Sequence, residues 1–141
     1  MMTSALVSHD RGVSLVTFAK PRLNRINETV PLALPSRFPK SSLPFTAVSL
    51  TGFIYIYAEN GTHIWEYDPR GQRISEIAFP NARIRRVFAL GSEVVVALDV
   101  RVRVMQKQGG RWVEINTLDV SGSPQWRKST KSNCLRGPTG I

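Results

Sequence analysis

Residues 53–71, FIYIYAENGTHIWEYDPRG, decide how the chain is read. Phe53, Tyr55 and Tyr57 alternate with Ile54 and Ile56, a composition too aromatic and β-branched for a comfortable helix. The run reads as a strand. Asn60-Gly61 follows, a dipeptide suited to the positive φ angles of a type I′ turn, and residues 62–67 resume a second β-prone run. Asp68-Pro69-Arg70-Gly71 supplies the next turn, with proline fixing φ at the first corner and glycine leaving the exit free of a Cβ. Residues 73–79 then read as a third strand, stopped by Pro80-Asn81.

Working outward, residues 83–90 form a strand ending at Gly91-Ser92, and 93–98 a run of the kind buried on both faces. Arg101, Val102, Arg103 and Val104 alternate charge and hydrophobe, and residues 111–118 follow after Gly109-Gly110. No window supports a long amphipathic helix. The expectation is an all-β fold, an antiparallel meander of about seven strands. The two halves of the meander share a spacing. Six residues separate Tyr67 from Ile74 across a turn, and six separate Met105 from Trp112. Glu76-Ile77 then matches Glu114-Ile115, a period of about 38 residues, within the range of propeller repeats.

Tyr67-Asp68-Pro69 with Gly71, and Gly109-Gly110 before Trp112-Val113-Glu114-Ile115, resemble the third and fourth strands of kelch repeats. The second phrase resembles the blade ends of plant F-box proteins with kelch-type propellers. Ile74 stands where that family's Trp would be in the first copy, and Met105 where its Tyr would be in the second. The resemblance covers about half the chain and implies two propeller-like blades. It implies a non-catalytic protein-interaction module, part of a kelch propeller such as serves as a substrate receptor of a ubiquitin ligase. A complete propeller takes about four to eight blades. The chain is therefore expected to be a fragment of a longer propeller, or to pair with another protein or a second copy along exposed sheet edges. The alternative is a small β-roll or barrel.

The flanks differ from this centre. Pro21, Pro31, Pro35, Pro39 and Pro44 crowd one segment, so residues 1–45 are expected to be a Pro-rich, basic and disordered extension. Residues 46–120 hold the repeat region, and 121–141 a basic flexible tail. Of the formal charge of +9, little lies in the centre: residues 1–45 carry six Lys/Arg against two Asp/Glu, and 46–122 nine against eight. Residues 123–141 carry four basic side chains and no acidic one. These four, Arg127, Lys128, Lys131 and Arg136, are the nucleic-acid candidates of the rival reading, a basic RNA- or ribosome-associated β domain.

Reaction chemistry has no foothold. Cys134 is the only cysteine, so neither an internal disulfide nor a Cys cluster for zinc can form. His9 and His63 are the only histidines, and neither a nucleophile elbow nor a Gly-rich phosphate loop is present. No enzyme activity, cofactor or metal is expected. The absence of about 18 consecutive apolar residues and of a signal-peptide pattern points to an intracellular protein, cytoplasmic or nuclear, with an organellar transit peptide as the other option. Tyr55, Tyr57 and Trp65, with Arg85 and Arg86, are the residue types enriched at interface hot spots and are the protein-binding candidates. Arg85-Arg86 also breaks strand alternation, as at a β-bulge or an exposed turn toward a partner.

Overall fold

The computed structural model describes residues 3–9, 12–18 and 26–119, and these residues are all-β. Strands β1 (Thr3–His9), β2 (Gly12–Phe18) and β3 (Ile26–Leu32) form a first sheet, in chain order. Strands β4 (Pro44–Val48), β5 (Ile54–Ala58), β6 (His63–Tyr67) and β7 (Arg73–Ala78) form a second. Strands β8 (Ile84–Leu90), β9 (Glu93–Leu98), β10 (Arg101–Gln108) and β11 (Arg111–Asp119) form a third. Each strand pairs antiparallel with its neighbour in sequence, so each sheet is an up-and-down meander.

The seven strands read from the sequence are β5 to β11, and four more precede them. The described residues of 1–45 are therefore ordered rather than the disordered extension expected. They carry the first sheet and the start of β4. Two of the prolines sit where a sheet tolerates them: Pro31 lies on edge strand β3, and Pro44 opens edge strand β4, while Pro21 lies outside the described residues. Neither place requires a donor for the ladder. Pro35 and Pro39 instead accept turn hydrogen bonds, from the Phe38 N–H at 3.0 Å and the Ser42 N–H at 3.2 Å. Three open sheets also replace the expected pair and the alternative roll or barrel; the described strands close no barrel. The tail 121–141 lies outside the described residues.

The opening segment becomes the middle of a stack. On β5, Ile54, Ile56 and Ala58 pack against the first sheet, together with Trp65, Tyr67, Val13 and Leu32. Tyr55 and Tyr57 point the other way, into a core shared with Val87, Val94 and Val96 of the third sheet. All five residues of β5 are buried, which is why the strand is apolar at every position rather than at alternate ones.

The repeat is visible in the ladder itself. The β6–β7 pairing shifts register between Glu66 and Tyr67, and the β10–β11 pairing shifts between Val104 and Met105. These bulges fall at the same point of the repeat of about 38 residues. Ile54 and Val94, Ile56 and Val96, and Tyr67 and Met105 hold matched places in the ladder, and each is buried against the preceding sheet.

The turns differ in detail from expectation. Gly109 and Gly110, at φ of 59° and 79°, make the two-residue turn with two positive φ values that type I′ demands. Around Asn60-Gly61 only Asn60 has positive φ, 66°, and four residues, 59–62, connect β5 to β6. This wider loop hydrogen-bonds outside its own hairpin: the Asn60 N–H donates to the Ile84 carbonyl at 2.8 Å, and the Ile84 N–H to the Gly61 carbonyl at 2.9 Å. A tight turn would have no groups to spare for the third sheet.

Candidate protein-binding groove

Of the five expected binding residues, the structure removes three from the surface. Tyr55, Tyr57 and Trp65 are each at most 5% exposed and belong to the cores between sheets. Alternating aromatics on a strand with neighbours on both sides fill space rather than meet a partner. Arg85 and Arg86 are exposed, and the expected bulge is there: the β8–β9 register shifts between Ile84 and Arg86, leaving Arg85 as the extra residue. The bulge re-aims Arg85. Its guanidinium donates to Asp99 Oδ1 and Asn60 Oδ1, both at 2.9 Å, so it ties the corner of the second sheet to the third.

The repeat residues hold structural posts. The Asp68 carboxylate accepts from the N–H groups of Arg70 and Gln72, closing the turn that Pro69 and Gly71 shape. Gly71 has φ of 91°, and a Cβ there would stand 2.7 Å from Leu32 Cδ2. Its lack of a side chain thus lets the second sheet's hairpin approach the first sheet. Tyr67 donates its hydroxyl hydrogen to the Ala33 carbonyl, fixing the same junction. Trp112 reaches in the other direction, edge-on to Tyr55 at 6.1 Å, with its indole N–H on Ser75 Oγ at 2.9 Å.

Sequence reasoning missed the polar cluster that Trp112 completes. Glu66 is 4% exposed. Its Oε1 accepts from Lys107 Nζ and from Ser75 Oγ, both at 2.6 Å, and its Oε2 from the Tyr55 hydroxyl at 2.9 Å. Lys107 also lies over the Trp112 ring. A carboxylate so surrounded is satisfied by donors from both sheets, which is what allows it to be buried. Burial raises the Tyr55 phenol pKa well above its ordinary range, and the neighbouring Glu66 charge and hydrogen bond add to that. Burial likewise raises Tyr57 and Tyr67. No sequence signal identifies this cluster, because Glu66 and Lys107 meet only when the sheets stack.

One surface available to a partner is a groove of about 690 Å³ along β4 and β8. Among the described residues both strands are sheet edges and lie side by side, so each has a row of backbone groups with no strand partner in its sheet there. Phe45, Val48, Phe88 and Leu90 line the groove and are 39%, 50%, 50% and 59% exposed. Glu59, Arg85 and Arg86 stand at its polar side. Phe45 is held edge-on to the ring of Tyr57 at 5.8 Å, which sets it in place before any partner arrives. Phe88 and Leu90 carried a legible signal, being large apolar residues that alternate with the inward Val87 and Ala89.

Among the described residues no group of three or more His, Cys, Asp or Glu could hold a metal ion. His63 is occupied structurally. It bonds Thr62 Oγ1 at 2.8 Å through Nδ1 and stacks on Trp65 at 5.6 Å and 11°. Compared with protein-family models and with curated protein sequences, the chain matches none.

Proposed function

We propose that the chain is a non-catalytic protein-interaction module, part of a kelch-type propeller of the kind that presents substrates to ubiquitin ligases. Its three sheets then act as blades. The observation that carries this reading is the groove between the free edges of β4 and β8, with four exposed apolar side chains and an arginine beside them. An extended peptide segment fits that chemistry. Its main chain would satisfy one strand edge, alternate apolar side chains would cover Phe45, Val48, Phe88 and Leu90, and an acidic residue would meet Arg86.

Photo-crosslinking in cells tests the proposal. Benzoylphenylalanine at Val48, inside the groove, should yield discrete protein adducts, whereas the same group at exposed Ile74 on β7 should not. Adducts of RNA at Val48, or equal yields at the two positions, would overturn it and favour the RNA-associated reading.

A further inference from the structure

We propose that the chain binds a second copy of itself head to tail, the outer face of the third sheet in one copy packing on the outer face of the first sheet in the other. This deepens the interaction reading by naming one partner, and it uses sheet faces rather than the groove, although Phe88 and Leu90 border both.

The cross-strand rows define the two faces. In the third sheet the rows Leu90–Glu93–Gln106–Val113, Phe88–Val95–Val104–Asn116 and Arg86–Ala97–Val102–Leu118 alternate with rows buried against the second sheet. Directly paired residues share a face, so these three rows form one surface, mostly apolar. Leu90, Val113 and Leu118 are 59%, 38% and 46% exposed on it.

What this surface receives is written in the preceding repeat. Aligned on the bulges, the row Ala97–Val102–Leu118 holds the ladder places of the row Tyr57–Ile64–Ile77, one repeat earlier. Those three are buried residues of the core that joins the second sheet to the third. The outer face of the third sheet is therefore built as a receiving face for a further sheet.

The first sheet carries the complementary kind. Its β2–β3 register shifts between Thr17 and Phe18, at the same end of the central strand as the Glu66/Tyr67 shift in β6–β7. Aligned on these bulges, Phe18 and Val16 take the places of Tyr67 and Trp65, which face the preceding sheet. The outward rows are Ala5–Val16–Thr29 and Val7–Ser14–Pro31, alternating with Leu6, Leu15, Val13 and Leu32, which pack on the second sheet. On the central strand Val16 and Ser14 are only 8% and 7% exposed, with Ser14 bonded to His9, so the accessible part of this face lies at its margins. Val7 is 43% and Ile26 61% exposed.

Both junctions within the chain join a receiving face to a delivering face, and the free ends are one of each. Contact between copies is then heterologous, and closes if the rotation allows. Two copies bring about six sheets, within the range that closes a propeller.

The experiment is light scattering after size exclusion, on the full chain, from low to about 100 μM protein. The expected mass is twice that of the 15.8 kDa chain. Val113→Glu on the receiving face and Val7→Glu on the delivering face should each abolish association. An equal mixture of the two variants should regain a dimer, because one intact face of each kind remains. Circular dichroism and a cooperative melt establish that the variants fold, and Leu118→Lys replaces Val113→Glu if that protein does not. A folded wild-type monomer throughout the range would overturn the proposal. So would dimers that survive Val7→Glu and vanish with Val113→Glu, the pattern of a symmetric contact. The Val48 crosslink separates the two readings: its persistence in a monomeric chain leaves the groove reading standing without this one.

Discussion

The two junctions between sheets are held by different means. Between the first and second sheets the contact is almost wholly apolar, with Val13, Leu32, Phe38, Ile56 and Trp65 at its centre and the Tyr67–Ala33 bond at its margin. Even the Trp65 indole N–H, fully buried, has no hydrogen-bond partner there. Between the second and third sheets an apolar core of similar make-up is joined by the Glu66–Lys107 ion pair, the loop bonds of Asn60 and Ile84, and Arg103 lying over the Phe79 ring. An apolar face tolerates sliding at little cost, whereas a buried carboxylate is satisfied in only one alignment. The first junction is thus fitted by shape, around Gly71, and the second by register.

Alkaline pH should strain both junctions most. The buried phenols of Tyr55, Tyr57 and Tyr67 have raised pKa values, while an unfolded chain ionises near the ordinary value of about 10. The unfolded state then binds fewer protons, so stability is complete below about pH 10 and is lost as pH rises through the folded-state ionisation. Circular dichroism between about pH 8 and 12 should show unfolding coincident with phenolate absorbance. Phenolates titrating near the ordinary value in a chain that stays folded would contradict this.

Ile56→Ala attacks the shape-fitted junction. Ile56 is fully buried between sheets, and its truncation should cost about 4 kcal/mol in urea unfolding through lost burial and a cavity. Lys107→Met attacks the registered one by leaving Glu66 charged and short of its cation, at a cost of about 3 kcal/mol. The double change Glu66→Gln with Lys107→Met keeps an acceptor for Tyr55 and Ser75 without a buried charge, and should be more stable than Lys107→Met alone. If the two variants are equally unstable, the ion pair does not set the register. Tyr67→Phe is the mildest, about 1 kcal/mol for one hydrogen bond at the margin of the first junction.

Legibility in the sequence followed the range over which each feature is determined. Strands β5 to β11 were readable because turn residues and β-branched runs act within a few positions of one another. The first sheet and β4 were not, since Pro31 and Pro44 read as breakers until edge positions are assigned, and edges are a property of the whole sheet. The same limit applied to the site. The bulge at Arg85 was legible as a local break in alternation. The burial of Tyr55, Tyr57 and Trp65 was not, because a strand between two sheets and a strand with an aromatic outer face can have the same composition. The groove residues Phe45 and Val48 escaped notice for the reason that β4 did.

The meandering order of the sheets also sets how the chain can fold as it is made. Pairing joins only consecutive strands, so each sheet can form as soon as its own residues have left the ribosome, with short loops to close. β5 is the exception to easy passage. Its side chains need the first sheet on one flank and the third on the other, and the third is synthesised last. Until then Tyr55 and Tyr57 face solvent on a β-prone strand, the kind of segment that chaperones hold and that aggregates when they do not. Slowing translation after residue 79 should therefore lower the yield of soluble chain more than slowing it after residue 43.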